Sequence, residues 1–416
     1  MQERQPTPSR NTWPQAIPAT LAIVMGSALA AELIAQQFFD LDTLQYRRPY
    51  QPIFVSGDYH YLMPNEALPF VPGGPVAMGY RPGAFGFHYS ADTPPPRSAA
   101  TLADYLFDHK RSRYDASEID RLSCAGGDPI LMYVLGSSVA QGFSSEEKAD
   151  TWHAALERAL RRQLGRQDVH IFNGAMGGFV SLQDRLAYHL AVAPPPPARL
   201  VLIVNGYNDL TLPANSGVRP GDPFQLGLRY SQLFDDDFMW WLARHSAVAN
   251  AVLQNEFTDR IAGFRRRLEQ DDAVFARHAR AIADIYMENM EEVLDSCVAR
   301  GQVCRVAIQP ARSLTAEHIG TSAGDVLSQK RMVELYRSLL RKIAASRHRD
   351  LFIDLTHVFD RGEKMQHYAD SVHPNYAGQQ VLARALLAPT LAALRSARTV
   401  PAPAERCARL SRANDG

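Results

Sequence analysis

Five positions in this chain have the types and surroundings for acyl chemistry without a metal. Ser138 lies in VLGSSVAQG, Val134–Gly142. A serine hydroxyl is a weak nucleophile at neutral pH and needs a base within hydrogen-bond reach. Asp370 and His373 lie three residues apart in DSVHPNYAG, Asp370–Gly378. One nitrogen of His373 can take the serine proton while Asp370 holds the other and fixes the tautomer. Attack on an ester creates an oxyanion, which needs donors aimed at it. The backbone N–H of Ser138, that of Gly178 in NGAMGGFVS and the side-chain amide of Asn208 in GYND can supply them. Glycine suits such a place because a close backbone approach leaves no room for a side chain.

The elements that must position these groups begin near residue 129, where strand and helix patterns start to alternate, the mark of a parallel sheet in an α/β domain. Strands are predicted at Pro129–Leu135, Val169–Asn173, Arg199–Val204, Cys304–Gln309 and Leu351–Asp354. Helices are predicted at Glu147–Leu164, Leu182–Val192, Asp271–Ala299, Ser328–Ser346 and Tyr376–Leu394. Ser138 then follows the first strand, Gly178 the second, Asn208 the third and Asp370 with His373 the fifth. Open parallel sheets gather their ligands at these carboxyl ends.

Taken together, the four blocks resemble the SGNH (GDSL-type) hydrolases. GSSVAQG is similar to the nucleophile block, with Ser138 as the serine. NGAMGGFVS is similar to the block with the oxyanion glycine, at Gly178. GYND is similar to the block with the oxyanion asparagine, at Asn208, and DSVHPNYAG to the last block, with Asp370 and His373. The resemblance implies a flavodoxin-like three-layer α/β/α sandwich and ester hydrolysis with no metal or cofactor. It covers 129–210 and 300–395. One departure is visible: the family's Gly-Asp-Ser is Gly136-Ser137-Ser138 here. The replaced aspartate is not the triad acid, so its loss bears on support of the turn. The block register gives the attacking position to Ser138 rather than Ser137.

Other residues imitate parts of this set. Asp354 and His357 share the D-x-x-H spacing but lack the Pro-Asn and Gly that follow His373, so they read as strand-end and surface residues. Asp209 reads as a brace for its loop, and His367 as a loop histidine or a neighbour of the site. The glycines at 174, 177 and 178 belong to no phosphate-loop or dinucleotide fingerprint. Lys+Arg and Asp+Glu both number 44, a balance that disfavours general nucleic-acid binding. The cysteines, Cys124, Cys297, Cys304 and Cys407, show no zinc spacing; Cys297 and Cys304 either pair or remain two thiols.

The flanks bear on location and substrate. Arg4 and Arg10 precede an apolar run, Ile17–Ala31, and Ala28-Leu29-Ala30 resembles a signal-peptidase site. The run is short of the roughly 20 residues of a spanning helix. An uncleaved membrane anchor, a cleaved signal and a buried helix all fit; the first two place the catalytic domain outside the cytoplasm, in the periplasm of a Gram-negative source. Residues 36–128 form a Pro/Gly/Tyr-rich extension of short strands and loops, where Tyr59, Tyr61, Phe85 and Phe87 either pack or line a face. An insertion at 211–300, with Trp240 and Trp241, is a candidate lid. The domain closes near 398, and 399–416 reads as a disordered tail. The resemblance implies an acyl-ester substrate on an O-acetylated glycan or a lipid. An O-acyltransferase acting on exported polysaccharide, or an inactive glycan-binding or assembly subunit, remain alternatives.

Overall fold

The computed structural model describes residues 24–34, 114, 116–124, 129–145, 147–192, 200–216, 263–314, 327–360 and 364–396, with two-residue strands between 39 and 90 and residues 220, 246, 248 and 249. The predicted roles of Tyr59, Tyr61, Phe85, Phe87, Trp240, Trp241 and the 399–416 tail lie outside the described residues. The chain divides into two units, one of 1–60 with 229–259 and one of 61–228 with 260–416.

In the first unit, residues 24–34 form a helix that exposes Val24, Met25, Leu29, Leu33 and Ile34. Its one acid, Glu32, accepts hydrogen bonds from Ser246 Oγ at 2.7 Å and Val248 N at 3.2 Å. Among the described residues no helix is long and apolar enough to cross a membrane.

The second unit is built on a five-stranded parallel sheet: β1 Ile130–Gly136, β2 Val169–Asn173, β3 Leu200–Asn205, β4 Val303–Ile308 and β5 Phe352–Asp354. The order is β5-β4-β3-β1-β2 with every pairing parallel. This is the doubly wound flavodoxin-like order, and its topological switch point falls between β1 and β3. The strands alternate apolar side chains between two faces, as a sheet covered on both sides requires. Leu131, Tyr133 and Leu135 join one core cluster, and Ile130, Met132 and Val134 the other.

Besides Ala116–Cys124, the described helices around the sheet include α1 Ser138–Gln141, α2 Trp152–Leu164, α3 Ser181–Ala187, α4 Tyr207–Ser216, α5 Asp272–Ala299, α6 Gln329–Ala345 and α7 Tyr376–Ser396. α2 and α7 cover one face through Trp152, Leu156, Leu160, Leu382 and Leu386. α5 and α6 cover the other through Phe275, Ile282, Met290, Leu335 and Leu339. The result is the three-layer α/β/α sandwich. α5 falls within the predicted insertion, yet it belongs to a covering layer of the sheet. Its end is joined to the start of β4 by a disulfide between Cys297 and Cys304, and Cys124 is also disulfide-bonded.

Helices lie where none is expected, among them Ala116–Cys124 within the predicted extension of strands and loops. α1 is a single turn that starts on Ser138. α4 starts inside GYND and runs through Pro213. A proline removes one backbone donor, which conceals a helix from pattern reasoning. The turn into α1 depends on Gly136, whose φ is +130° and whose added Cβ would stand 2.0 Å from Val204 O. Gly136→Ala combines a disallowed backbone conformation with a clash against main chain. It is expected to lower the unfolding free energy by about 3 kcal/mol or more in urea titration.

Candidate active site

Ser138 is the first residue of α1, directly beyond the carboxyl end of β1, and is 5% exposed. Three contacts hold its turn. Ser137 N donates to Val204 O at 3.3 Å, Met176 N to Gly136 O at 3.0 Å and Trp152 Nε1 to Val139 O at 3.0 Å. Gly142 then ends α1 in the left-handed region, its N–H returned to the carbonyls of Ser138 and Val139. Ser137 faces away into the core, where its hydroxyl donates to Gln309 Oε1 at 2.8 Å. Gln309 follows β4, so this bond ties the ends of β1 and β4.

The loop carrying the histidine is closed on itself. Asn375 N donates to His367 O at 3.0 Å, Ala369 N to His373 O at 2.8 Å, and Arg312 N, from beyond β4, to Ser371 O at 2.9 Å. This presents the buried His373 ring to Ser138. His373 Nε2 lies 2.7 Å from Ser138 Oγ, and His373 Nδ1 lies 2.6 Å from Asp370 Oδ2. With Nδ1–H donated to the carboxylate, Nε2 carries the lone pair that accepts the serine proton. The second oxygen of Asp370 accepts from the backbone N–H groups of Val372 and His373, both at 2.8 Å. Burial opposes the charge of Asp370, but the hydrogen bonds and charge of His373 outweigh it and hold the carboxyl at about 2. It is therefore ionised at neutral pH. The ring of Phe143 packs on that of His373, centroids 4.9 Å apart and 37° between planes.

Gly178 adopts φ +83° in the turn after β2, a conformation that favours glycine. Among the described residues, the N–H groups of Ser138 and Gly178 have no acceptor. Asn208, in the first turn of α4, donates from Nδ2 to Phe179 O at 2.9 Å. An amide carries two N–H groups, so one is still available for a ligand. Asp209 accepts from Ser181 N with both oxygens, at 2.9 and 3.1 Å, and so links α4 to α3. Ser138, His373 and Asp370 thus form one hydrogen-bonded line, with Asn208 in the first turn of α4 after β3 and Gly178 in the turn after β2.

The imitating residues stay apart from this line. Asp354 bonds Thr356 N and Oγ1, and the exposed His357 pairs with Asp360. His367 stacks on Phe359. No group of His, Cys, Asp and Glu among the described residues can hold a metal ion.

Sequence reasoning missed Phe143, Gln309 and a buried polar cluster beneath the turn. Gln309 stands at a strand's carboxyl end, the rule that singled out the other groups, and was legible on that ground. The cluster contains two carboxyl groups. Burial pushes Asp184 well above the usual carboxylate range, against the pull of a hydrogen bond from Asn205, while Asp209 adds to the rise. Burial also pushes Asp209 up to about 6, partly offset by Ser181. A carboxyl group raised above its unfolded value binds more protons in the folded state. For Asp209, the contribution to stability is therefore lost as pH rises from about 4 to about 6 and is level above that window. Asp209→Asn is expected to flatten that fall relative to the unaltered chain, as read from urea midpoints at pH 4, 5, 6 and 7.

Residues 134–381 match the model of the GDSL-like lipase/acylhydrolase family. No curated protein matches the chain. Among solved structures, an α/β hydrolase from the metagenome of Lake Arreo is 16% identical, with 64% of this chain and 96% of that one covered and a TM-score of 0.39. An acetylxylan esterase from Geobacillus stearothermophilus is 14% identical, with 63% and 94% covered and a TM-score of 0.38. A GDSL-like lipase from Bacteroides thetaiotaomicron is 13% identical, with 66% and 95% covered and a TM-score of 0.35. The family match takes in more than half of the chain, from β1 through the His373 loop into α7: the chain belongs to the GDSL-like lipase/acylhydrolase family and is an ester hydrolase.

Proposed function

We propose that this ester hydrolase works through Ser138, His373 and Asp370, with the Ser138 and Gly178 N–H groups and the Asn208 amide as the oxyanion hole. The observation that carries the reading is the short line from Asp370 through His373 to Ser138 Oγ, 2.6 and 2.7 Å. Ser138 Oγ attacks the acyl carbonyl carbon as its proton passes to His373 Nε2. The carbonyl oxygen, which takes the negative charge in the tetrahedral intermediate, is held by the three donors. Collapse expels the alcohol, which takes the proton from Nε2. Water then attacks the acyl-serine with His373 as base, releasing the acid and restoring Ser138. Asp370, ionised at neutral pH, keeps the ring in the tautomer that this cycle needs and stabilises the imidazolium.

The substrate we propose is an acyl ester on an O-acetylated glycan or a lipid, met outside the cytoplasm by a membrane-anchored enzyme. Two observations support the location. The Cys297–Cys304 and Cys124 disulfides fit an oxidising compartment. The helix 24–34 exposes five large apolar side chains, and its Glu32 is bonded to Ser246 and Val248. Cleavage after Ala30 would remove Val24, Met25 and Leu29 with most of that helix, and in the proposed enzyme the segment is kept as an uncleaved anchor.

The assignment is tested with p-nitrophenyl acetate and the full chain in detergent micelles. Ser138→Ala is expected to lower kcat/KM by at least about 10³-fold, while Ser137→Ala stays within about tenfold. Asn208→Ala is expected to lower kcat by about 10²–10³-fold. Equal rates for the unaltered chain and Ser138→Ala would sink the assignment.

A further inference from the structure

Asp184 is fully buried on α3 and touches none of the reacting groups. Its Oδ2 accepts from Asn205 Nδ2 at 2.6 Å, and α3 packs against β1. Oδ1 has no side-chain or backbone partner among the described residues. Asn205, the last residue of β3, is fixed from its other side, because Tyr286 OH of α5 donates to its Oδ1 at 2.6 Å. In this arrangement the NH2 group of Asn205 faces Asp184 and its carbonyl oxygen faces Tyr286. The main chain of Asn205 continues the link: its carbonyl accepts from Gln309 N at 3.0 Å, and Gln309 Oε1 accepts from Ser137 Oγ. One carboxyl group thus lies beneath the ends of β3 and β4 and is linked through Asn205 and Gln309 to Ser137, the neighbour of the nucleophile.

We propose that Asp184 is a positioning residue for the nucleophile turn, which fixes Asn205 and, through Gln309 and Ser137, sets where Ser138 Oγ meets His373. The proposal rests on Ser138 being the nucleophile. Gly136 has no freedom to absorb a loss of this support. Its conformation is left-handed, its carbonyl is held by Met176 N, and Val204 O closes the space beside it. Removing the carboxyl would leave the buried Asn205 amide with only the 3.7 Å contact to Met290 Sδ, and the end of β3 would shift to find a better acceptor. A displacement near 1 Å at an attacking atom costs about 10²-fold in rate even when the reacting groups are all present. A neutral amide at the same place still offers an oxygen, so asparagine can substitute where alanine cannot.

The test compares Asp184→Ala and Asp184→Asn in the full chain by ester turnover and by hydrogen exchange of backbone amides. Asp184→Ala is expected to lower kcat about 10²-fold with KM within about threefold. It is also expected to speed exchange at Gly136–Gly142 by at least tenfold while α2 is unchanged. Asp184→Asn restores both to within about fivefold. A folded Asp184→Ala chain with kcat and turn exchange at the unaltered values would overturn the proposal. So would exchange that rises equally over α2 and the turn, the mark of general destabilisation. If Asp184→Ala does not fold, Tyr286→Phe releases the Asn205 amide while keeping the ring. It is expected to lower kcat about tenfold and loosen the turn in the same direction, and no change in either overturns the proposal. If the unaltered chain hydrolyses no ester, the assignment of activity fails, and the exchange measurement alone decides whether Asp184 holds the turn.

Discussion

One backbone carbonyl, Val204 O, decides where the serine can stand. It accepts the Ser137 N–H and occupies the space that any side chain at position 136 would need. The pairing of β1 with β3 puts it there, with Gly136 opposite Val204 in register. Parallel pairing at the centre of a doubly wound sheet is buried on both faces and tolerates little movement. The turn into α1 therefore inherits the rigidity of the core, and the switch point between β1 and β3 opens beside it. A nucleophile mounted in this way needs no mobile loop to hold it.

The histidine is held by the opposite strategy. Its loop belongs to no strand, so backbone bonds within the loop and one from Arg312 N replace the ladder. Asp370 contributes twice, one oxygen orienting the ring and the other bonding two backbone N–H groups of its own turn. A single carboxylate thus shapes the loop and sets the tautomer. Phe143 closes one face of the ring from the chain that follows α1, so the nucleophile segment also helps to seat the base.

Much of this was legible in the sequence because it is local. Alternating apolar residues in β1 and β3 announce a sheet covered on both faces, and polar or glycine residues at strand ends nominate Ser138, Gly178, Asn208 and His373. The remainder was hidden because it is made by contacts between distant elements. Asp184, Asn205 and Tyr286 come from α3, β3 and α5, and nothing periodic marks them as partners. Pro213 disguises α4, whose first turn carries Asn208. The length of α5 was visible, but its apolar face does not say which surface it covers. Ser137, which departs from the family's aspartate, turns out to be occupied by Gln309, a residue that no local pattern connects to it.

The proposed nucleophile, Ser138, and its proposed base, His373, are separated by 235 residues of chain. Contacts of such separation form late, because the intervening segment must be ordered before they can close. A polypeptide still emerging from the ribosome has Ser138 without His373, and so has no means of activating the hydroxyl. Hydrolytic power arrives only when nearly the whole domain has been synthesised and folded. The spacing acts as a built-in delay: a chain held unfolded carries every reactive side chain and yet is chemically silent.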